Sequence, residues 1–329
     1  MNALVQRTYG PVENLRLAEL EKPKPADKAV LIRVRAAGID PGIWHMMTGR
    51  PYMVRLMGLG FSKPSVPVAG WDAAGVVEGV GAGVTRFKPG DEVFGNCDAR
   101  GTGTFAEYAC LPEDRCAPRP TNLSFEQSAA LPVSGCTALQ SVRDLCKVGP
   151  GMRVLVLGAS GGVGHYAVQI AKAYGATVTG VCSSSKLDFV RSLGAADAID
   201  YTRERLGSDA RRWDAVIDTA GRRSFAELRR ALAPKGVLAI VGGEGGNVWT
   251  GGFLERILAA SVLSLFSTQK LLAVNATVNV PDLLALKELA EAGKLTPALD
   301  RRYRLDEGVA ALRELEKGHA RGKSVVVME

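Results

Sequence analysis

The sequence predicts an α/β protein in two parts, a doubly wound parallel sheet joined to a mainly antiparallel, barrel-like β domain. Three observations carry that expectation. From about Arg153 to Val241, short β-rich runs alternate with helical stretches, the pattern of βαβ units with right-handed crossovers. One of these runs leads through a glycine-rich turn directly into a helix. Before residue 122 the strands are instead short, broken by Gly and Pro, with little helical periodicity. A chain of 329 residues is long for one compact domain and suits two.

In chain order, LIRVRAAGI, AAGVVEGVG, EVFG and AEYACL supply the antiparallel strands. Ser124 and Gln127 have the spacing of a capping box and open a helix. The parallel strands follow as VLVL (154–157), ATVTGVC (176–182), DAIDY (197–201), DAVID (214–218) and GVLAIV (236–241). Gly175 and Gly194 each end a helical stretch where a left-handed cap belongs. The segment 253–266, FLERILAASVLSLF, is apolar around its whole circumference yet too short to cross a bilayer, so it reads as a lid or a subunit contact. An amphipathic helix (PDLLALKELAEAGKL), a second helix from Asp306 and a last strand, SVVVM, complete the chain. Returning that strand to the first domain makes the first domain discontinuous: 1–122 with 276–329, enclosing a second domain at 123–275.

Composition narrows the function classes. At 47% hydrophobic and 23% charged residues the chain reads as a soluble globular protein. Its formal charge of +7 favours an anionic ligand, but no basic stripe interleaved with aromatics supports nucleic-acid binding. Six irregularly spaced cysteines give neither a disulfide framework nor a zinc-binding pair. With no secretory apolar region and no transmembrane run, the expected compartment is the cytoplasm.

The strongest motif is VLVLGASGGVGHYAVQIAKAYGA. On the Gly-x-Gly-x-x-Gly spacing its three positions are Ala159, Gly161 and Gly164. Gly161 admits a pyrophosphate to the backbone and Gly164 lets the helix pack on the strand. Ser160, Gly161, Gly162 and Val163 then present amide donors at a helix start, where the dipole favours an anion. Cofactor choice turns on the end of the next strand, where a carboxylate would bind a ribose hydroxyl and repel a phosphate. The residues there are Cys182, Ser183, Ser184, Ser185 and Lys186, with no carboxylate before Asp188. This predicts NADPH, with Ser183, Lys186 and Tyr201 as contacts to its extra phosphate.

The order of a barrel-like domain, GASGGVG, VTGVCSSSK, FVRSLGAADAIDY, DTAG, IVGG and a terminal HARGK resembles the zinc-independent, quinone oxidoreductase-like branch of the medium-chain dehydrogenase/reductase superfamily. The resemblance spans essentially the whole chain. It implies a Rossmann domain beside a GroES-like substrate domain, with Thr137 near the nicotinamide, Gly242 and Gly243 passing close to the cofactor, and Lys323 reaching its phosphates or the substrate. It also implies a small quinone or enone substrate and a possible homodimer. Zinc-dependent members hold their metal with a Cys and with the His of Gly-His-Glu. The corresponding residues here are Asp40 and Trp71, so no metal is expected.

Without a Lewis acid, the acceptor must delocalise the hydride's charge itself, which suits a quinone or an α,β-unsaturated carbonyl. The candidate catalytic residues lie in DPGIWHMMTGRPY: Asp40, His45 as a proton donor and Tyr52 as an oxyanion partner. Relatives often carry Asn at the first position and Asp where Ile43 stands. Trp44, Met46, Met47 and Met53 are expected to wall the pocket. Two other readings share these motifs: a biosynthetic enoyl or carbonyl reductase for one natural product, and a non-catalytic NADPH-binding protein.

Overall fold

Strand Ala29–Ile39 organises the amino-terminal part of the chain, because its aliphatic residues Val30, Ile32, Val34, Ala37 and Ile39 enter one hydrophobic core. The computed structural model describes residues 1–97, 102–206, 210–242, 247–318 and 320–328. Among them two compact units form, residues 1–136 with 277–329, and residues 137–276. In the first unit the strand order is Leu299–Arg304, Lys323–Val327, Ala29–Ile39, Asp72–Val80, Glu92–Asn96 and Cys116–Pro118, with Tyr108–Pro112 also paired to Ala29–Ile39. All of these pairs are antiparallel except the first, which is parallel. The carboxy-terminal strand returns as expected, pairing Ser324 with Ile39 and Val327 with Ala36.

The second unit is an all-parallel sheet in the order Asp197–Asp200, Thr177–Cys182, Arg153–Leu157, Trp213–Asp218, Leu232–Ile240 and Lys270–Ala273. Its strands are near-continuous apolar runs, as sheets covered on both faces require. Gly175 and Gly194 take φ of +86° and +102° after their helices. The Ser124 capping box is complete, with Gln127 N donating to Ser124 Oγ and Ser124 N to Gln127 Oε1.

Three expectations need correction. Residues 123–136, assigned to the nucleotide-binding domain, belong to the first unit. Helix Phe125–Ala129 packs on strand Ala29–Ile39 at Gly38, where a Cβ would lie 2.5 Å from the Ala129 carbonyl oxygen. The first 122 residues also contain a helix, Pro41–Thr48, capped by Asp40 and started by Pro41. On it Ile43, Met46 and Met47 are buried, so the two methionines are internal rather than pocket wall. The apolar segment is the helix Phe253–Leu265, with Ala260 buried and Leu258, Val262, Leu265 and the following Phe266 exposed.

Candidate active site

Backbone geometry builds the phosphate turn in the second unit. Strand Arg153–Leu157 ends at Gly158, whose φ of +72° makes the tight turn, and helix Gly164–Ala173 begins six residues on. A Cβ on Gly164 would sit 2.1 Å from the Gly158 carbonyl oxygen, so only glycine allows this approach. A Cβ on Gly161 would meet only that same oxygen, at 3.3 Å, which leaves the turn's outer side open. The Gly161 amide is spent on Gly158, while those of Gly162 and Val163 have no protein acceptor among the described residues. Two donors at a helix start suit a pyrophosphate. Ser160 is buried beside them.

Two further residues complete the turn. His165 is fully buried, and both its backbone N and its Nδ1 donate to the Gly161 carbonyl, at 3.1 and 2.9 Å. Gly158, one residue before the first position of the spacing, makes the tight turn with its positive φ directly after the strand end.

The residues expected at the ribose end come together. Tyr201 N donates to Cys182 O at 3.1 Å, and Asp200 pairs in register with Cys182, so Ser183, Lys186 and Tyr201 lie at the ends of neighbouring strands. Ser183 makes no side-chain cap to the following turn, and Tyr201 is 54% exposed. Asp200, which sequence reasoning missed, is here too. Its carboxylate accepts from Thr202 N at 2.9 Å, Thr202 Oγ1 at 2.7 Å and Ser184 Oγ, and these bonds hold its pKa down. It is buried and turned to its own strand end.

Gly242 closes the next strand: its N donates to Asp218 O at 3.1 Å, and a Cβ there would lie 2.7 Å from Thr219 O. Asp218 is fully buried between Gly221 N (2.9 Å) and Arg256 Nη2 (3.0 Å). Burial pushes its carboxyl pKa up. Thr137 is buried, its carbonyl accepting from Ser141 Oγ at 2.6 Å. Gly243 and His319 lie outside the described residues.

The first unit holds the remaining candidates. Asp40 Oδ1 accepts from Gly42 N at 2.8 Å, whereas its buried Oδ2 has no hydrogen-bond partner among the described residues. Asp72 accepts from Asn96 Nδ2 at 2.8 Å and Val133 N at 2.9 Å. Lys323, expected to reach the cofactor, is 2% exposed and donates to Ser134 Oγ at 3.1 Å. Desolvation pushes both carboxyls up, Asp72 to about 7 with Asp40's charge adding to the rise, while Lys323 opposes the shift in each. His45 Nδ1–H donates to Arg50 O at 2.6 Å, and Tyr52 lies under the Arg55 guanidinium.

This donor set does not fit zinc. Trp71 offers an indole N–H in place of an imidazole lone pair, and Asp72 already accepts from Asn96 and the Val133 amide, which leaves Asp40 Oδ2 as a lone oxygen ligand. No group of three His, Cys, Asp or Glu suited to a metal occurs among the described residues. The six cysteines are buried and form no disulfide among the described residues, and burial pushes the Cys110 and Cys182 thiols up to about 11.

A chain with a parallel-sheet unit that carries a glycine turn with open amide donors, and with a β unit that holds a charged interior site, has the organisation of a two-domain dehydrogenase or reductase. Residues 26–121 match the alcohol dehydrogenase GroES-like domain, and residues 193–326 match the zinc-binding dehydrogenase domain. The chain is 30% identical to the chloroplast envelope quinone oxidoreductase homolog of Arabidopsis thaliana, over 99% of this chain and 98% of that one. It is 33% identical to the NADPH-dependent alkenal/one oxidoreductase of the same plant, over 99% of this chain and 79% of that one. The solved quinone oxidoreductase of Coxiella burnetii superposes with a TM-score of 0.88 at 29% identity, covering 100% and 99% of the two chains. The chain belongs to the medium-chain dehydrogenase/reductase superfamily, in its quinone oxidoreductase-like branch, and is an oxidoreductase.

Proposed function

We propose that this protein is an NADPH-dependent reductase of quinones or α,β-unsaturated carbonyls that works without zinc. The observation that carries the reading is the residue set Asp40, Trp71 and Asp72 in a chain that also has the open phosphate turn. With no Lewis acid to polarise an ordinary carbonyl, hydride transfer needs an acceptor with its own electron sink. The names of the plant relatives accord with such acceptors.

NADPH supplies the hydride when bound. The amides of Gly162 and Val163 hold its pyrophosphate, with Ser160 beside them and the missing side chain of Gly161 letting it approach, and Ser183, Lys186 and Tyr201 hold its extra phosphate. The Asp200 carboxylate, occupied by Thr202 and Ser184, is not free to accept from a ribose hydroxyl in place of that phosphate. Thr137 and Gly242 border the nicotinamide, and Lys323 supports the substrate side through Asp40 and Asp72. His45, its Nδ1 proton spent on Arg50 O, exchanges a proton at Nε2, while Tyr52 steadies the developing oxyanion.

A cytoplasmic location accords with six cysteines that form no disulfide among the described residues, and no described helix is long and apolar enough to cross a membrane. A homodimer accords with the exposed apolar side chains of helix Phe253–Leu265.

NADPH oxidation against a panel of quinones and enones tests the reading. Turnover across the panel is expected. Turnover of one substrate alone would point to a dedicated biosynthetic reductase, and binding without turnover to a non-catalytic protein.

A further inference from the structure

The first unit carries a cavity of about 420 Å³ against helix Pro41–Thr48, within the roughly 300–1,000 Å³ typical of small-molecule sites. Its walls include the rings of Tyr9, Trp44 and Tyr52, with Arg50, Arg55 and Glu316 also lining it. Each aromatic wall is held in place. Tyr9 Oη donates to the carbonyls of Leu59 and Gly60, both at 2.6 Å, and Trp44 Nε1 donates to Glu316 Oε1 at 2.9 Å.

Arg55 is the centre of the arrangement. Its guanidinium lies 4.3 Å from the Tyr9 ring centroid and 4.7 Å from that of Tyr52, and its Nε donates to Gly49 O at 2.9 Å. Gly49 makes this stack possible, because a Cβ there would sit 2.7 Å from both Arg55 Nε and Tyr9 Cδ1. The two Nη groups of Arg55 and the guanidinium of Arg50 have no protein acceptor among the described residues. An Arg fixed by stacking and by its Nε presents its remaining N–H pair as a planar fork, which matches the two oxygens of a carboxylate. With Glu316 counted, the lining has one net positive charge, which suits a monoanion better than a phosphate dianion.

We infer that this cavity binds the carboxylate of a planar, conjugated acceptor, with the Arg55 fork on the carboxylate and the Tyr9, Trp44 and Tyr52 rings against the conjugated system. The inference rests on the reading of the chain as a reductase of conjugated acceptors and names which of them it prefers: aromatic or quinonoid carboxylates. Arg50 adds longer-range attraction.

The test compares a naphthoquinone carboxylate with unsubstituted naphthoquinone as acceptors for NADPH. In the unmodified protein KM for the carboxylate is expected to be lower by about tenfold, the scale of one charge-assisted hydrogen-bond pair. In Arg55→Met that ratio collapses toward one. Arg50→Met, at an exposed side chain, reduces the ratio two- to threefold without risk to folding. Calorimetric binding of naphthoate, which needs no turnover, is expected to weaken about tenfold in Arg55→Met. Equal KM values in the unmodified protein, or equal effects of Arg55→Met on both quinones, overturn the inference. If neither quinone is reduced but Arg55→Met still weakens naphthoate binding, the reductase reading falls and the carboxylate site stands.

Discussion

The phosphate turn of the second unit and the charged interior of the first solve opposite problems. At the turn, the chain leaves polar groups open: the amides of Gly162 and Val163 lack protein acceptors among the described residues, and Gly161 carries no side chain to cover them. In the first unit, Asp40, Asp72 and Lys323 are sealed from water, with Asp72 held by Asn96 and the Val133 amide, Lys323 by Ser134, and Asp40 by the Gly42 amide at Oδ1 alone. Donors built from backbone near the surface cost little to maintain and await a ligand. Charges built from buried side chains hold the interior only while every member is present.

The largest effect expected from that contrast is at Lys323. Lys323→Met leaves two buried carboxylates without their cation and should lower stability by about 3–5 kcal/mol, read as a shift in the urea midpoint. Adding Asp72→Asn should recover a large part of the loss. The pH dependence separates charge from packing. Asp72 is raised in the folded protein from 3.8 to about 7, so the folded state binds the extra proton between those values. Its contribution is therefore greatest below the unfolded value and is lost as pH rises toward 7, a decline Asp72→Asn should flatten. An unchanged slope would place the cluster's proton elsewhere.

Next in size is the turn. Gly164→Ala drives a Cβ to 2.1 Å from the Gly158 carbonyl oxygen, so NADPH affinity should fall about a hundredfold by titration, with stability lowered by about 1–3 kcal/mol. A normal dissociation constant would mean that the turn does not carry the pyrophosphate. The smallest effect is cofactor choice: Lys186→Glu should raise KM for NADPH about tenfold more than for NADH. Equal changes would detach Lys186 from the extra phosphate.

Legibility in the sequence followed the same division. The strand, turn and helix at 153–173 could be read directly because every determinant is local in sequence, down to the Gly164 packing. Asp200 was missed because counting forward from the turn follows one strand, whereas Asp200 arrives sideways from the adjacent one. Helix Pro41–Thr48 had a legible start in Asp40 and Pro41, but the Gly and Pro after it read as irregular chain. The boundary at residue 136 was hidden for another reason. Gly38 accepts the Ala129 backbone from a distant part of the chain, a contact no local pattern announces. The cluster of Asp40, Asp72 and Lys323 could not be assembled from spacing at all, since three separate strand and helix ends bring it together.

Hydride transfer to a conjugated acceptor without a metal is the step on which the proposed function depends. The most direct measurement is steady-state NADPH oxidation with an enone by protein treated exhaustively with a chelator, with metal content determined on the same sample. Full turnover in metal-free protein, unchanged by added zinc, is the predicted result; activity lost on chelation and restored by zinc would contradict it.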